Sequence, residues 1–291
     1  SRPCRPPVGN SIADLASCGK LGGTDCRRIW EDEDLASEFV SIERRGRVAI
    51  VRVDRKDGRN AFSRQVLREL TEAARSFEED IETSAIVLTG TDKVFTVGLD
   101  LKDVHGPKSR SAGLAERRLL TSAGPRLCRA WEELAPMTFV AIEGHCIGGG
   151  VALAVSCDMR IAGEGASLYV PEIRRGMNMS WQSLPRLVSL VGPARAKQIV
   201  ILADRIPAAQ ALGWGLVEEV VPQGQALARA LAMAEQVAGM PPVPVRMIKQ
   251  TINVAAHPLG HAVTYMDADQ HALTRTSEDY AEGVASFLEK R

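Results

Sequence analysis

Two short apolar runs constrain the fold of this chain more than any other feature. Ala85–Thr89 (AIVLT) and Thr138–Ile142 (TFVAI) are continuous, without the alternation of a half-exposed strand, and Met159–Ala162 (MRIA) reads as a further short strand. Runs this short fit strands buried on both faces, because a helix needs more residues to bury the same surface. Patterns of helical period lie between them. Ser63 can cap a helix whose apolar face is Val66, Leu67, Leu70, Ala74 and Phe77, and residues 113–134 carry Leu119, Leu120, Leu127 and Trp131, with a break expected at Pro125. Val40, Ile42, Val48, Ile50 and Val53, around the turn at Arg45-Gly46, predict a hairpin ahead of all this. Gly148–Cys157 predicts a buried helix. Beyond Trp181 the pattern is helical, over about 182–190, 193–203, 207–212, 223–239, 243–256 and 260–290. The order β-β-α-β-α-β-α-β followed by helices predicts an α/β fold with a helical C-terminal part.

Composition narrows the function. The 291 residues carry 36 Lys and Arg against 36 Asp and Glu, so no basic excess points to nucleic acid. With 45% hydrophobic residues the chain can build a core, and no apolar run approaches the roughly 20 residues of a bilayer span. Six cysteines without a CxxC pair give neither a disulfide scaffold nor a zinc site; Cys128, Cys146 and Cys157 sit in apolar surroundings and read as small buried hydrophobes. His257, His261 and His271 have no carboxylate completing a ligand set, and no metal is expected. Residues 1–36 are Pro-rich, then Gly-rich, then acidic, with no structural period, and are expected to be a mobile extension. They lack the apolar stretch of a secretory signal, so a cytoplasmic chain is expected, with an organelle matrix as the alternative.

Chemistry concentrates in three loops, each following a predicted strand, where α/β folds place their sites. The first is Phe95–Lys102 (FTVGLDLK). The second is Glu143–Gly150 (EGHCIGGG), whose glycines open an apolar helix and could present backbone N–H groups to negative charge. No Lys-Ser/Thr follows it, so it is not a P-loop, and its adjacent glycines do not form the dinucleotide fingerprint. The third loop carries Glu172 after Pro171 in an apolar stretch, where a carboxylate could be partly buried with a tuned basicity. An ion pair with Arg174 or Arg175 is the competing reading.

At these loops the chain resembles the crotonase, or enoyl-CoA hydratase/isomerase, superfamily. Arg59–Ser63 (RNAFS), residues 94–104 (VFTVGLDLKDV), residues 142–162 (IEGHCIGGGVALAVSCDMRIA), residues 171–176 (PEIRRG) and the tail 273–291 resemble five family segments in their order. The resemblance implies an α/β crotonase-like ββα spiral as the acyl-CoA-binding core, here residues 37–215, and a C-terminal helical region, residues 216–291, that builds homotrimers or dimers of trimers. It implies an acyl-CoA thioester as substrate, with CoA part of that substrate and no further cofactor. The thioester oxygen would sit between the backbone N–H groups of Leu99 and Gly149. Arg59, Ala61, Gly98, Asp100, Leu101, Lys102, Gly148, Ala152 and Trp181 would line the CoA and acyl path. Phe287 and Lys290 would help hold CoA, whether in their own or in a neighbouring subunit.

Family hydratases use two glutamates. This chain has Ala152 at the first position and Glu172 at the second. The one-glutamate arrangement resembles that of family isomerases, so the expected reaction is transfer of a C3=C4 double bond to C2=C3, with Glu172 as the base. Met177, Met179 and Trp181 are expected to wall the pocket. The alternatives are hydration or another specialised reaction, such as hydrolysis or decarboxylation, with Glu143, Asp100, Asn178 or Ser180 standing in for the missing acid, and a non-catalytic acyl-CoA-binding protein.

Overall fold

The computed structural model describes residues 37–104 and 112–289. The extension 1–36 and Lys290 lie outside the described residues. The predicted hairpin is present as β1 (Val40–Arg45) and β2 (Val48–Val53), paired antiparallel with Arg45 opposite Val48. Parallel strands β3 (Ala85–Thr89), β4 (Met137–Ile142), β6 (Met159–Gly163) and β9 (Glu219–Val221) extend it into a six-stranded sheet ordered β1-β2-β3-β4-β6-β9. A second sheet, β5-β7-β8, is built from β5 (His145–Ile147), β7 (Ser167–Tyr169) and β8 (Ile206–Pro207).

Helices fill the connections. Ser63 caps α1 (Arg64–Arg75), its hydroxyl accepting from the Val66 N–H, and the expected apolar face of this helix is buried. Then come α2 (Leu101–Val104), α3 (Leu114–Thr121), α4 (Ala123–Glu132) and the buried α5 (Gly149–Ala154). The break expected at Pro125 falls instead at Ser122. Pro125 lies in the first turn of α4, where a missing N–H costs nothing. After a 3-10 turn at Glu172–Arg175 follow α6 (Ser183–Lys197), α7 (Ala208–Trp214), α8 (Ala226–Ala238), α9 (Pro242–Ala256), α10 (Gly260–Thr264), α11 (Asp267–Thr274) and α12 (Glu278–Glu289). The C-terminal stretch 260–290, expected to be helical throughout, is thus three helices. Helix α6 also bends at Gly192-Pro193, where Gly192 leaves helical geometry.

The main core lies between the two sheets and α1, α4 and α5, around Phe62, Leu70, Phe95, Trp131 and Leu153. A second cluster on the other face of the large sheet packs Val87, Phe139 and Ile161 against Ala226, Ala230 and Ala234 of α8. Cys128, Cys146 and Cys157 are buried as expected, and desolvation pushes the Cys128 thiol up to about 12. No helix among the described residues is long and apolar enough to cross a membrane.

Candidate active site

Two chain segments run side by side at the mouth of the small sheet. The Thr96 region pairs with β5 through a parallel bridge between Thr96 and Cys146, and Phe62 bridges Leu99 on its other side. The Phe62 N–H donates to the Gly98 carbonyl, and the Asp100 N–H donates to the Phe62 carbonyl. In a parallel ladder one residue's flanking groups make the bonds, so the Leu99 N–H points away from Phe62. Gly98, at φ +85°, lets the chain pass close to β5: a Cβ there would lie 2.6 Å from the Ile147 carbonyl oxygen and 3.7 Å from the Gly149 nitrogen. The Gly149 amide opens α5, while the amides of Val151 and Ala152 donate back to the Gly148 carbonyl. A first-turn amide has no partner within its helix. The fold therefore brings Leu99 and Gly149, from separate segments, to the wall of one opening.

That opening is a cavity of about 570 Å³. Of the residues expected at the site, Gly98, Leu99, Gly148, Gly149, Glu172 and Trp181 line it. Arg59, Ala61, Asp100, Leu101, Lys102 and Phe287 also line it. Ala152 does not. It is fully buried in α5, and the wall ends at Gly149, so its side chain belongs to the core. Met177 and Met179 contribute walls as expected.

Three carboxylates face the cavity. Asp100 accepts from Arg55 Nη1 at 2.9 Å, and Asp57 lies 3.5 Å from Arg55 Nε while accepting from the Arg59 and Asn60 amides. Asp100 also accepts from the Lys102 amide at the start of α2, which holds the loop bearing Leu99. Both aspartates are thus committed to local structure. Glu172 differs. It opens the 3-10 turn after Pro171, and its Oε2 is shut off from solvent with no hydrogen-bond partner. Burial pushes its carboxyl up to about 7, against the opposing pull of its own backbone N–H and the Arg175 charge. The ion pair considered for Arg174 goes elsewhere, to Asp204 and to the carbonyls of Leu202 and Ala203.

Helix α12 presses on the Glu172 turn through two glycines. A Cβ on Gly176 would meet the Tyr280 nitrogen at 2.5 Å, and one on Gly283 would meet Arg175 Cα at 2.7 Å. Arg175 in turn lies over the Phe287 ring at 4.3 Å, so Phe287 lines the cavity of its own chain.

The groups considered as substitute acids are placed as follows. Glu143 is buried on the far side of β4, accepting from Gln223 Nε2 and the Ala226 amide, where it caps α8. Asn178 takes a hydrogen bond from Thr274 and is not on the wall. Ser180 is on the wall, but its hydroxyl donates to Asp267. Sequence reasoning missed the wall positions of Arg205, which lies over Tyr169 at 4.7 Å, and of His271. Neither has a local signal, since each reaches the cavity only through the packing of later elements.

A family model described as enoyl-CoA hydratase/isomerase matches residues 43–291. A probable enoyl-CoA hydratase of Mycobacterium tuberculosis is 33% identical over 258 residues, covering 87% of this chain and 96% of its own. The short-chain-enoyl-CoA hydratase of Clostridium acetobutylicum is 30% identical, with 87% and 95% covered. Among solved structures, an enoyl-CoA hydratase/isomerase from Pseudoalteromonas atlantica superposes with a TM-score of 0.78 at 27% identity, covering 87% of this chain and 98% of its own. The curated relatives carry hydratase names and lend no support to the isomerase preference. The two-sheet architecture and the match over residues 43–291 agree: the chain belongs to the enoyl-CoA hydratase/isomerase family, has the crotonase fold and is an acyl-CoA enzyme.

Proposed function

We propose that this enzyme shifts the double bond of a 3-enoyl-CoA into conjugation with the thioester, with Glu172 as its one acid/base group. The observation that carries this reading is the Glu172 carboxyl itself. It is the one cavity carboxylate among the described residues not tied to Arg55, with an unpartnered Oε2 and a pKa near neutrality. A base is most effective when its pKa lies near the working pH. Glu172 takes a proton from C2, and the charge moves to the thioester oxygen. The N–H groups of Leu99 and Gly149 stabilise that oxyanion, and one such donor is typically worth ~2.7–4 kcal/mol of barrier. The protonated Glu172 then returns the proton at C4. Arg59, Lys102, Arg175 and Arg205 around the opening suit the phosphates of CoA.

Hydration of a 2-enoyl-CoA is the second reading, favoured by the names of the curated relatives. It needs one group to orient water and one to deliver a proton, and Ala152 supplies neither. A paired assay separates the two. A 3-enoyl-CoA is followed by the appearance of conjugated thioester absorbance, and a 2-enoyl-CoA by its loss. Conjugation without hydration, abolished in Glu172→Gln with acyl-CoA binding retained, is the expected result. Hydration at a comparable rate would overturn it in favour of the second reading.

For the assembly we propose a homotrimer or dimer of trimers through the C-terminal helices. Val243, Met247, Ile248 and Ile252 of α9 are exposed in the single chain, an apolar surface that calls for a partner copy. Light scattering of the purified protein tests this, and a monomer would refute it.

A further inference from the structure

A second cavity, of about 550 Å³, lies next to the first, and the two share Leu99, Trp181 and His271. Its walls come from α1, α3 and the C-terminal helices, with Leu67, Leu120 and Ala272 among them. Trp181 stands between the two chambers. Its indole fills notches left by two glycines. A Cβ on Gly149, beside the proposed oxyanion site, would fall 2.5 Å from Cη2, and one on Gly124, in the wall of the second chamber, would fall 2.0 Å from Cε2. Its ring stacks on Phe62 with centroids 6.3 Å apart and planes 12° from parallel.

The backbone holding this ring is unusual. Trp181 and Gln182 have φ of +64° and +58°, a conformation that non-glycine residues adopt rarely and at a cost. Two consecutive residues of this kind persist only when their surroundings fix them. Asp267 does so from α11. Its Oδ2 accepts from Ser180 Oγ at 2.8 Å and from the Gln182 N–H at 3.0 Å, so one buried carboxylate pins the residues on both sides of Trp181.

We propose that Trp181 is a partition that ends the acyl pocket, restricting the enzyme to short acyl groups, and that Asp267 is the positioning residue that holds the partition shut. This rests on the acyl-CoA reading of the first cavity, with the acyl group directed inward past Leu99 and Gly149. Without the indole, the two chambers merge and a longer chain can enter the second.

Calorimetric affinities for butyryl-CoA and decanoyl-CoA test this without requiring turnover. In the native enzyme decanoyl-CoA is expected to bind no more tightly than butyryl-CoA, because added methylenes find no room and bring no further burial. In Trp181→Ala the preference for decanoyl-CoA should rise at least tenfold. Adding Ala272→Trp to that variant refills the second chamber and should abolish the gain, whereas Ala272→Trp alone should leave butyryl-CoA binding unchanged. Asp267→Ala should move the preference in the same direction as Trp181→Ala, while Asp267→Asn, which keeps an acceptor oxygen, should retain the native ratio. A native enzyme that already favours decanoyl-CoA tenfold would overturn the proposal, as would a folded Trp181→Ala with an unchanged ratio. A ratio shift without turnover of either enoyl-CoA would refute the proposed reaction and leave the partition standing. Turnover with an unchanged ratio would do the reverse.

Discussion

The carboxylate of Glu172 rests against the backbone of Gly148: a Cβ at position 148 would come within 2.5 Å of Glu172 Oε1. Gly148 also has a positive φ of +54° with ψ −115°, outside the regions open to other residues, and its own N–H donates to the Tyr169 carbonyl at 2.7 Å. On the proposed mechanism the first of the three glycines makes room for the acid/base group, while the second, Gly149, would supply the amide. Gly148→Ala is expected to lower kcat at least a hundredfold by displacing Glu172. Steady-state kinetics on the folded variant check this, and near-native turnover would show that the carboxylate works from another position.

The pKa of about 7 sets the sign of the pH dependence. Removing a C2 proton requires ionised Glu172, so kcat/KM for double-bond transfer should rise about tenfold per pH unit below 7 and level off above it. Hydration with protonated Glu172 as the acid would give the opposite limb, falling above 7. A pH profile with a 3-enoyl-CoA distinguishes the two forms, and a profile flat from pH 5 to 9 would remove Glu172 from the rate-determining step.

The same shift bears on stability. Folding raises the Glu172 carboxyl from its ordinary 4.5 to about 7, so the native state holds this proton to higher pH than the unfolded chain does. Stability should consequently fall as pH rises from 4.5 through 7 and remain lower above it. Glu172→Gln stays neutral throughout. It should melt several degrees above the native protein at pH 8, by at most about 3 kcal/mol, and close to it at pH 4. Paired melting curves at the two pH values check this, and equal differences at both would show that the carboxyl is not desolvated.

What could be read ahead of the structure followed from locality. Strands β3 and β4 were legible because burial on both faces demands unbroken apolar runs, and the α1 cap because Ser63 directly precedes an amphipathic stretch. Strands β5, β7 and β9 have three residues each, too few for a period to show. The loops that meet at the cavity were legible as glycine-bearing segments after buried strands. The pin on Trp181 was not, because Ser180 and Asp267 are 87 residues apart and nothing around Asp267 marks it as a partner. Ala152 shows the limit of carrying over a family position: it lies three residues beyond Gly149 on α5, yet it packs inward and leaves the wall to Trp181.

That placement sets the outcome expected of Ala152→Glu. Were the missing acid the sole barrier to hydration, this substitution would restore it. In this fold the side chain at 152 is fully buried and off the cavity wall, and Trp181 occupies the space over Gly149. A glutamate at 152 would place a carboxylate in the core with no partner, which costs on the order of a few kcal/mol or drives the group to its neutral form. Ala152→Glu is therefore expected to lower Tm by several degrees and to leave 2-enoyl-CoA hydration no faster than in the native protein. Melting curves and the loss of conjugated absorbance measure the two effects. A gain in hydration of tenfold or more with an unchanged Tm would mean that the side chain at 152 reaches the cavity, and that the pocket as built accepts water opposite Glu172.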